Sequence, residues 1–91
     1  MTTTRIKVDV TQEDIDHGVQ SDCRKCPVAR AISRALGFQV EAYSTIGIWL
    51  SDSDKVPTPA IASAFIRQFD EFKPVSPFSF DLEVPTELVK Q

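Results

Sequence analysis

The chain has 91 residues and a formal net charge of −3. This length accommodates one domain with one modest core, and the negative charge argues against non-specific binding to nucleic acid, which needs a positive field. Hydrophobic residues make up 42% and charged residues 25% of the chain, which excludes a disordered protein and is typical of a folded globular one.

The N-terminal residues contain no apolar signal core, and no apolar run approaches the roughly 20 residues needed to cross a bilayer. We therefore expect a soluble protein of the cytoplasm that does not bind membranes. In that compartment its two cysteines are reduced unless they take part in redox or metal chemistry.

Alternating apolar and polar residues predict a first strand over residues 5–10. Thr11 is followed by Asp14 three positions later, which resembles a capping box with aspartate in place of the usual glutamate. This pair predicts a short helix over residues 12–17. Gly18 is expected to end that helix in a left-handed conformation.

A second helix is predicted to begin near Pro27, because proline suits the first helical turn, where its missing N–H would have no helical partner. Its apolar stripe runs until Gly37 ends it. Residues 38–43 and 46–50 then predict two strands, joined as a hairpin across residues 44–45.

Residues 51–55 are predicted as a polar turn. Thr58 is expected to cap the third helix, with Pro59 as its first residue and an end near Phe72. Its predicted apolar face comprises Ile61, Ala62, Phe65, Phe69 and Phe72. The last strand is predicted over residues 78–84, where the alternation is strongest.

The predicted order is β-α-α-β-β-α-β, which indicates an α+β fold. We expect a two-layer sandwich in which the helices cover one face of a four-stranded, mainly antiparallel sheet. The whole chain, residues 1–91, forms one domain in this interpretation. Its ends, about 1–4 and 86–91, are predicted to be flexible.

Two cysteines three positions apart, Cys23 and Cys26, lie at the predicted start of the second helix. The helix N-terminus and the neighbouring cations would lower the pKa of a thiol there, as a redox-active pair requires. A zinc site formed with His17 and Asp22 is a second hypothesis, although structural zinc sites usually use two spaced ligand pairs. The third is purely structural, with one thiol packed in the core and the other idle.

A local cluster of positive charge interrupts an otherwise acidic chain and consists of Arg24, Lys25, Arg30 and Arg34. Because the cluster lies beside the free N–H groups of a helix start, it is a candidate phosphate or nucleotide site. The alternative is a solvated helix face whose cations pair with acids such as Glu13 or Asp14.

Tyr43 and Trp49 lie on the predicted hairpin. If Ile46, Ile48 and Leu50 face the core, Trp49 faces away from it, where an aromatic anchor would favour partner binding. The sequence contains no nucleophile elbow and no glycine-rich phosphate loop. No catalytic residue and no cofactor are therefore predicted.

Four short segments are spread over most of the chain: Val10–Gly18, Cys26–Ala31, Phe65–Asp70 and Pro77–Leu82. In these segments the sequence resembles a group of small proteins encoded by bacteriophages and prophages. The resemblance implies an accessory role inside a bacterial cell, where such proteins often inhibit or redirect a host factor, including defence systems.

We therefore expect a non-catalytic accessory protein that binds a bacterial host protein and forms a homodimer. The expected contact surface is the hairpin around Trp49 or the edge of the last strand. The alternatives are a phosphate or nucleotide binder at the basic cluster, and a redox or zinc protein that uses Cys23 and Cys26.

Overall fold

The computed structural model describes residues 2–89 of the chain. The elements follow in the order β1 (Thr3–Val10), α1 (Gln12–His17), α2 (Pro27–Leu36), β2 (Glu41–Ala42), β3 (Ile48–Trp49), β4 (Lys55–Val56), α3 (Ala60–Asp70) and β5 (Phe78–Pro85). A 3-10 turn over Thr86–Leu88 follows β5. These helices and antiparallel strands confirm the predicted α+β class. No helix within residues 2–89 is both long and apolar enough to span a membrane.

The strands form two separate antiparallel sheets, so the prediction of one four-stranded sheet is wrong. β1 pairs with β5, and the other sheet has the order β2-β3-β4. The predicted hairpin strands are only two residues long each, and the outer edge of β2 is already occupied. The N–H of Ala42 donates to the carbonyl of Cys23 (2.8 Å), and the N–H of Val40 donates to the hydroxyl of Ser33 (3.1 Å). These bonds occupy groups that a further strand would need.

The long β1–β5 ribbon supplies one wall of the core. Ile6 lies opposite Leu82 and Val8 lies opposite Phe80, and the inner side chains of both strands pack into the buried cluster. Helix α2 packs against β1, with Ile32 among its fully buried side chains. The alternation read from the sequence is thus confirmed in both long strands.

The capping box predicted for α1 is present. The side chain of Thr11 accepts from the N–H of Asp14 (3.2 Å), and the N–H of Thr11 donates to the Asp14 carboxylate (3.0 Å). Gly18, however, is extended (φ −72°, ψ 155°) rather than left-handed. A side chain there would lie 2.7 Å from the ring of Pro27. The glycine is therefore needed for close packing and not for a left-handed cap.

The predicted end of α2 is confirmed, whereas the predicted cap at the start of α3 is wrong. Gly37 ends α2 in the left-handed conformation (φ 87°), as predicted. Thr58 does not cap α3, because its hydroxyl donates to the carbonyl of Tyr43 (2.6 Å). Ser63 of α3 donates to the carbonyl of Ser44 in the same way (2.6 Å). These two bonds fix α3 against the turn between β2 and β3.

Part of the predicted flexible ends falls on Met1, Lys90 and Gln91, which lie outside the described residues. Thr3 and Thr4 already belong to β1. The N–H of Thr86 donates to the carbonyl of Thr2 (3.2 Å), which extends the β1–β5 pairing by one step.

Candidate functional site

The predicted basic cluster comes together in space. Arg24, Lys25, Arg30 and Arg34 line one shallow depression of about 340 Å³, together with Ser33 and Gln39. Arg24 and Lys25 lie just before α2, and Arg30 and Arg34 lie one turn apart on it, which produces this grouping. Whether it can hold an anion depends on what the cations already bind.

Two of these cations converge on one buried carboxylate. The guanidinium of Arg34 donates one hydrogen bond to each oxygen of Asp14, both of 2.8 Å, although the Asp14 side chain is 0% exposed. Nε of Arg30 lies 3.5 Å from the same carboxylate, within ion-pair range but without a hydrogen bond. Arg34 also donates to the carbonyl of Asp9 (2.9 Å). A bidentate arginine–carboxylate pair of this kind is strong and geometrically specific.

The electrostatics of the pair follow from its contacts. Burial raises the pKa of the Asp14 carboxyl, but the hydrogen bonds from Arg34 and from the Thr11 amide outweigh burial and lower that pKa to about 2. Asp14 in turn raises the pKa of the Arg34 guanidinium. Both groups are therefore charged at neutral pH, and the half-exposed Arg34 guanidinium neutralises the buried Asp14 carboxylate.

Carboxylates also bind the side chain of Arg24 and the backbone of the segment before α2. Arg24 lies 3.1 Å from Glu41. The backbone N–H groups of Arg24 and Lys25 both donate to the Asp22 side chain (2.9 and 3.1 Å). An acidic side chain thus already lies where a bound phosphate would accept hydrogen bonds. The arrangement supports the alternative in which the cations pair with acids, and it names the acids as Asp14 and Glu41.

The two cysteines have different structural roles, and both are free thiols. Cys26 is buried and caps α2, with its sulfur accepting from the N–H of Ala29 (3.4 Å). Cys23 is half-buried. Burial raises the pKa of the Cys26 thiol to about 11, which is opposite to the direction that a redox-active pair needs. The N–H groups of Ala29 and Val28 at the helix start do lower this pKa, but the effect of burial is larger.

The zinc hypothesis placed His17 beside these cysteines. His17 is exposed at the last turn of α1. Within residues 2–89, no three His, Cys, Asp or Glu side chains are grouped closely enough to hold a metal ion. The geometry therefore does not support a zinc site at Cys23 and Cys26.

We predict that iodoacetamide at pH 8 alkylates Cys23 readily and Cys26 at least about a hundredfold more slowly, because burial and a raised pKa both suppress the thiolate. Peptide mass spectrometry over a time course measures both rates. In urea the two cysteines should react alike, which serves as the control. Equal rates in the folded protein, or rapid formation of a Cys23–Cys26 disulfide, would contradict the structural role assigned to Cys26.

Tyr43 lies on the other side of Glu41 from Arg24. Its hydroxyl donates to the Glu41 carboxylate (3.0 Å), and the neighbouring Cys23 thiol and Glu41 raise the pKa of the hydroxyl. Together with both cysteines, Tyr43 lines a small depression of about 250 Å³. Glu41 thus joins two residues predicted from sequence, Arg24 and Tyr43, into one polar group.

Trp49 is half-buried on β3, whereas its neighbours Ile48 and Leu50 are buried. The Trp49 ring therefore faces away from the core, as expected. The expectation that Ile46 shares the inward face is wrong, because Ile46 is 56% exposed. Nζ of Lys55 lies 5.3 Å from the ring centre, a cation–π contact that covers part of it. Trp49 and Arg24 share a depression of about 390 Å³.

Two large apolar side chains, one on α3 and one just after it, are exposed, which was not predicted. Phe65 and Phe69 are buried, but Ile61 is 54% exposed and Phe72 is 76% exposed, so the prediction of one buried apolar face is wrong for these two. Helical spacing identifies which residues share a face. It does not show how far the neighbouring elements cover that face.

Beside Ile61 lies a concave surface between α3 and the chain that enters β5. We call it the apolar groove; it measures about 400 Å³ and is lined mainly by Ile61, Ala64, Phe65, Val75, Pro77 and Phe78. The rings of Phe65 and Phe78 form its floor, with centres 4.8 Å apart. A groove of this size accommodates one or two apolar side chains of a partner.

Phe72 combines exposure with an unfavourable backbone conformation. It follows the last turn of α3 with a positive φ of 61°, at a position where glycine or asparagine is usual. A bulky residue in this left-handed region costs roughly 1–2 kcal/mol. The backbone conformation is accounted for by the bonds that end α3, since the N–H of Phe72 donates to the carbonyl of Phe69 (3.1 Å) and the N–H of Lys73 donates to that of Gln68 (3.0 Å). The exposed ring has no such structural role and is available for binding.

No family model, curated protein or solved structure matches the chain.

Proposed function

We propose that this chain is a non-catalytic binding protein that contacts another protein through the apolar groove and the flanking side chains of Ile61 and Phe72. Following the sequence resemblance, we take the partner to be a bacterial host protein that a phage or prophage accessory protein modulates in the cytoplasm. A component of a host defence system is one such partner.

The observation that supports this function most directly is the exposure of Ile61 at a groove lined by the rings of Phe65 and Phe78, together with the exposure of Phe72 just after α3 ends. Covering apolar surface stabilises a complex by roughly 25 cal/mol per Å². Large exposed apolar side chains around a concave surface are characteristic of binding sites in soluble proteins.

The small-ligand alternative receives less support. A phosphate at the basic cluster would compete with Asp14 for Arg34 and with Glu41 for Arg24. Displacing the Asp14 carboxylate would leave it buried and unpaired, which is costly. The hairpin around Trp49 is the second protein-binding surface, and the expected homodimer stays a prediction.

We predict that Ile61→Ser and Phe72→Asn each weaken partner binding by at least about tenfold, because each removes an apolar anchor. Ile46→Ser is the matched control, since Ile46 is equally exposed (56%) but does not line the groove. Phe72→Asn should at the same time raise the free energy of unfolding by about 1 kcal/mol, because asparagine tolerates the left-handed conformation.

Photo-crosslinking from a bacterial lysate, with benzoyl-phenylalanine in place of Phe72 or of Ile46, identifies the partner, and titration calorimetry then measures the variants. Crosslinking confined to the Phe72 position and weakening confined to the groove variants are the expected results. Equal effects of Ile46→Ser and Ile61→Ser would overturn the proposal. Loss of binding in Trp49→Ala but not in Ile61→Ser would assign the contact to the hairpin instead.

A further inference from the structure

The outer edge of β5 presents unused backbone hydrogen-bonding groups. In an antiparallel pair, opposite residues alternate between those that bond each other and those whose N–H and C=O point away. Thr86 donates to Thr2, so these two opposite residues bond each other. By the register of β1 and β5, the even-numbered residues of both strands therefore bond across the ribbon. The N–H and C=O groups of Ser79, Asp81 and Glu83 therefore point away from β1.

Within residues 2–89, no backbone or side-chain group bonds these outward-pointing groups of β5. The edge of β1 differs, because Arg34 already donates to its outward carbonyl at Asp9 (2.9 Å). The first residue of β5, Phe78, also lies in the floor of the apolar groove. The free edge and the groove are thus continuous at Phe78.

The charges along the edge limit what can pair with it. Asp81 and Glu83 are exposed on the outer face of β5, opposite Lys7 and Arg5 of β1. A second copy of β5 would place carboxylates opposite carboxylates, which is destabilising. A strand with lysine or arginine on its outer face would instead place a second basic row beside the acidic row of β5, with the basic row of β1 on the other side.

We propose that the outer edge of β5 binds an extended segment of the partner by strand addition, with basic side chains opposite Asp81 and Glu83 and an apolar side chain in the groove. This inference rests on the proposed function and specifies its partner: a segment that alternates basic and apolar residues. The main chain supplies affinity in this mode, and the alternating side chains supply specificity.

The test uses the synthetic peptide Phe-Lys-Val-Lys-Val-Lys-Val, fluorescently labelled, and the same peptide with glutamate in place of lysine. Asp81→Pro removes an outward N–H that the β1–β5 ladder does not use, and proline is tolerated at such edge positions. Lys7→Pro is the matched control, since Lys7 lies directly opposite Asp81 and its N–H points outward from the other edge. Asp81→Asn removes the charge alone.

We expect the lysine peptide to bind more tightly than the glutamate peptide. We also expect Asp81→Pro to weaken it by at least about tenfold, with Asp81→Asn intermediate and Lys7→Pro unchanged. In the unsubstituted protein, the peptide should slow hydrogen exchange at the amides of Ser79, Asp81 and Glu83 but not at Arg5 or Lys7. This second readout stands even if Asp81→Pro fails to fold.

No binding of the lysine peptide, equal effects of the two proline variants, or unchanged exchange along β5 would overturn strand addition. If Ile61→Ser weakens the native partner while Asp81→Pro does not, the proposed function stands and the strand-addition mode fails. If the peptide protects the β5 amides while Ile61→Ser leaves partner binding intact, the edge binds strands but the groove is not the protein-binding surface.

Discussion

Replacing Arg34 by methionine should lower the free energy of unfolding by about 4 kcal/mol, because it leaves a carboxylate buried without its partner. The Asp14 side chain is fully buried, and Arg34 supplies both of its guanidinium hydrogen bonds. Methionine retains most of the apolar stem of arginine, so the loss reports the charge and the hydrogen bonds rather than packing. Urea unfolding at pH 7 measures the change.

Asp14→Ala should be less harmful, at about 3 kcal/mol, because it removes the buried charge and leaves a half-exposed Arg34 free to reach water. Adding Asp14→Ala to Arg34→Met should therefore restore part of the stability that Arg34→Met alone loses. Glu13→Ala is the control, an exposed acid in the same helical turn, and should change stability by less than about 0.5 kcal/mol. A double variant less stable than Arg34→Met would contradict this account.

The Asp14–Arg34 pair also determines how the stability of the fold depends on pH. The pKa of Asp14 is about 2 in the folded protein against an ordinary value of 3.8. Its stabilisation is therefore complete above about pH 5 and is lost as the pH falls through 4 towards 2, a change of about 2 kcal/mol. In Arg34→Met, burial should raise the Asp14 pKa above its unfolded value. Protonation then stabilises the folded state, so the contribution of Asp14 changes sign.

Replacing Gly47 by alanine should cost about 3 kcal/mol, through backbone strain and a backbone collision together. Gly47 has a φ of 127°, and a Cβ there would lie 2.8 Å from the carbonyl oxygen of Val56 on β4. Gly47 is buried in the turn that joins β2 to β3, and its carbonyl accepts from the N–H of Tyr43 (3.0 Å). The turn cannot move away without disturbing the next residue, Ile48, which is fully buried.

Urea unfolding tests this prediction, with Thr45→Ala as the control in the same turn. Thr45 is exposed, so its replacement should change stability by less than about 0.5 kcal/mol. Amide spectra of Gly47→Ala should show shifts concentrated in β3 and β4. A stability loss below about 1 kcal/mol would mean that the turn adapts and that the close approach to Val56 is unimportant.

Local chemistry explains which parts of the fold were predictable. The capping box at Thr11 and Asp14 and the left-handed stop at Gly37 each depend on a few neighbouring residues, and both are present. The prediction that Thr58 caps α3 used the same reasoning and is wrong, because its hydroxyl bonds Tyr43, which is distant in sequence. Sheet membership depends on such distant contacts as well, so two sheets were predicted as one.

The candidate site, too, was predictable from the sequence only in part. Spacing along α2 grouped Arg30 with Arg34, and the structure places both beside Asp14. The sequence left open whether they bind a ligand or an internal acid, because only the folded chain shows that Asp14 is buried. The exposure of Ile61 and Phe72 could not be predicted either, since a helical pattern does not specify what covers the ends of an apolar face.

The pairing of β1 with β5 has a consequence for the order in which this protein folds. Asp9 and Ser79 meet across the ribbon although they lie 70 residues apart in the chain. Contacts between such distant residues close a large loop and slow folding, and on the ribosome the ribbon cannot form before β5 is synthesised. The paired β5 edge therefore exists only once the chain through Pro85 has been made. A partner that binds this edge would discriminate molecules with a formed ribbon from nascent or truncated ones that lack β5.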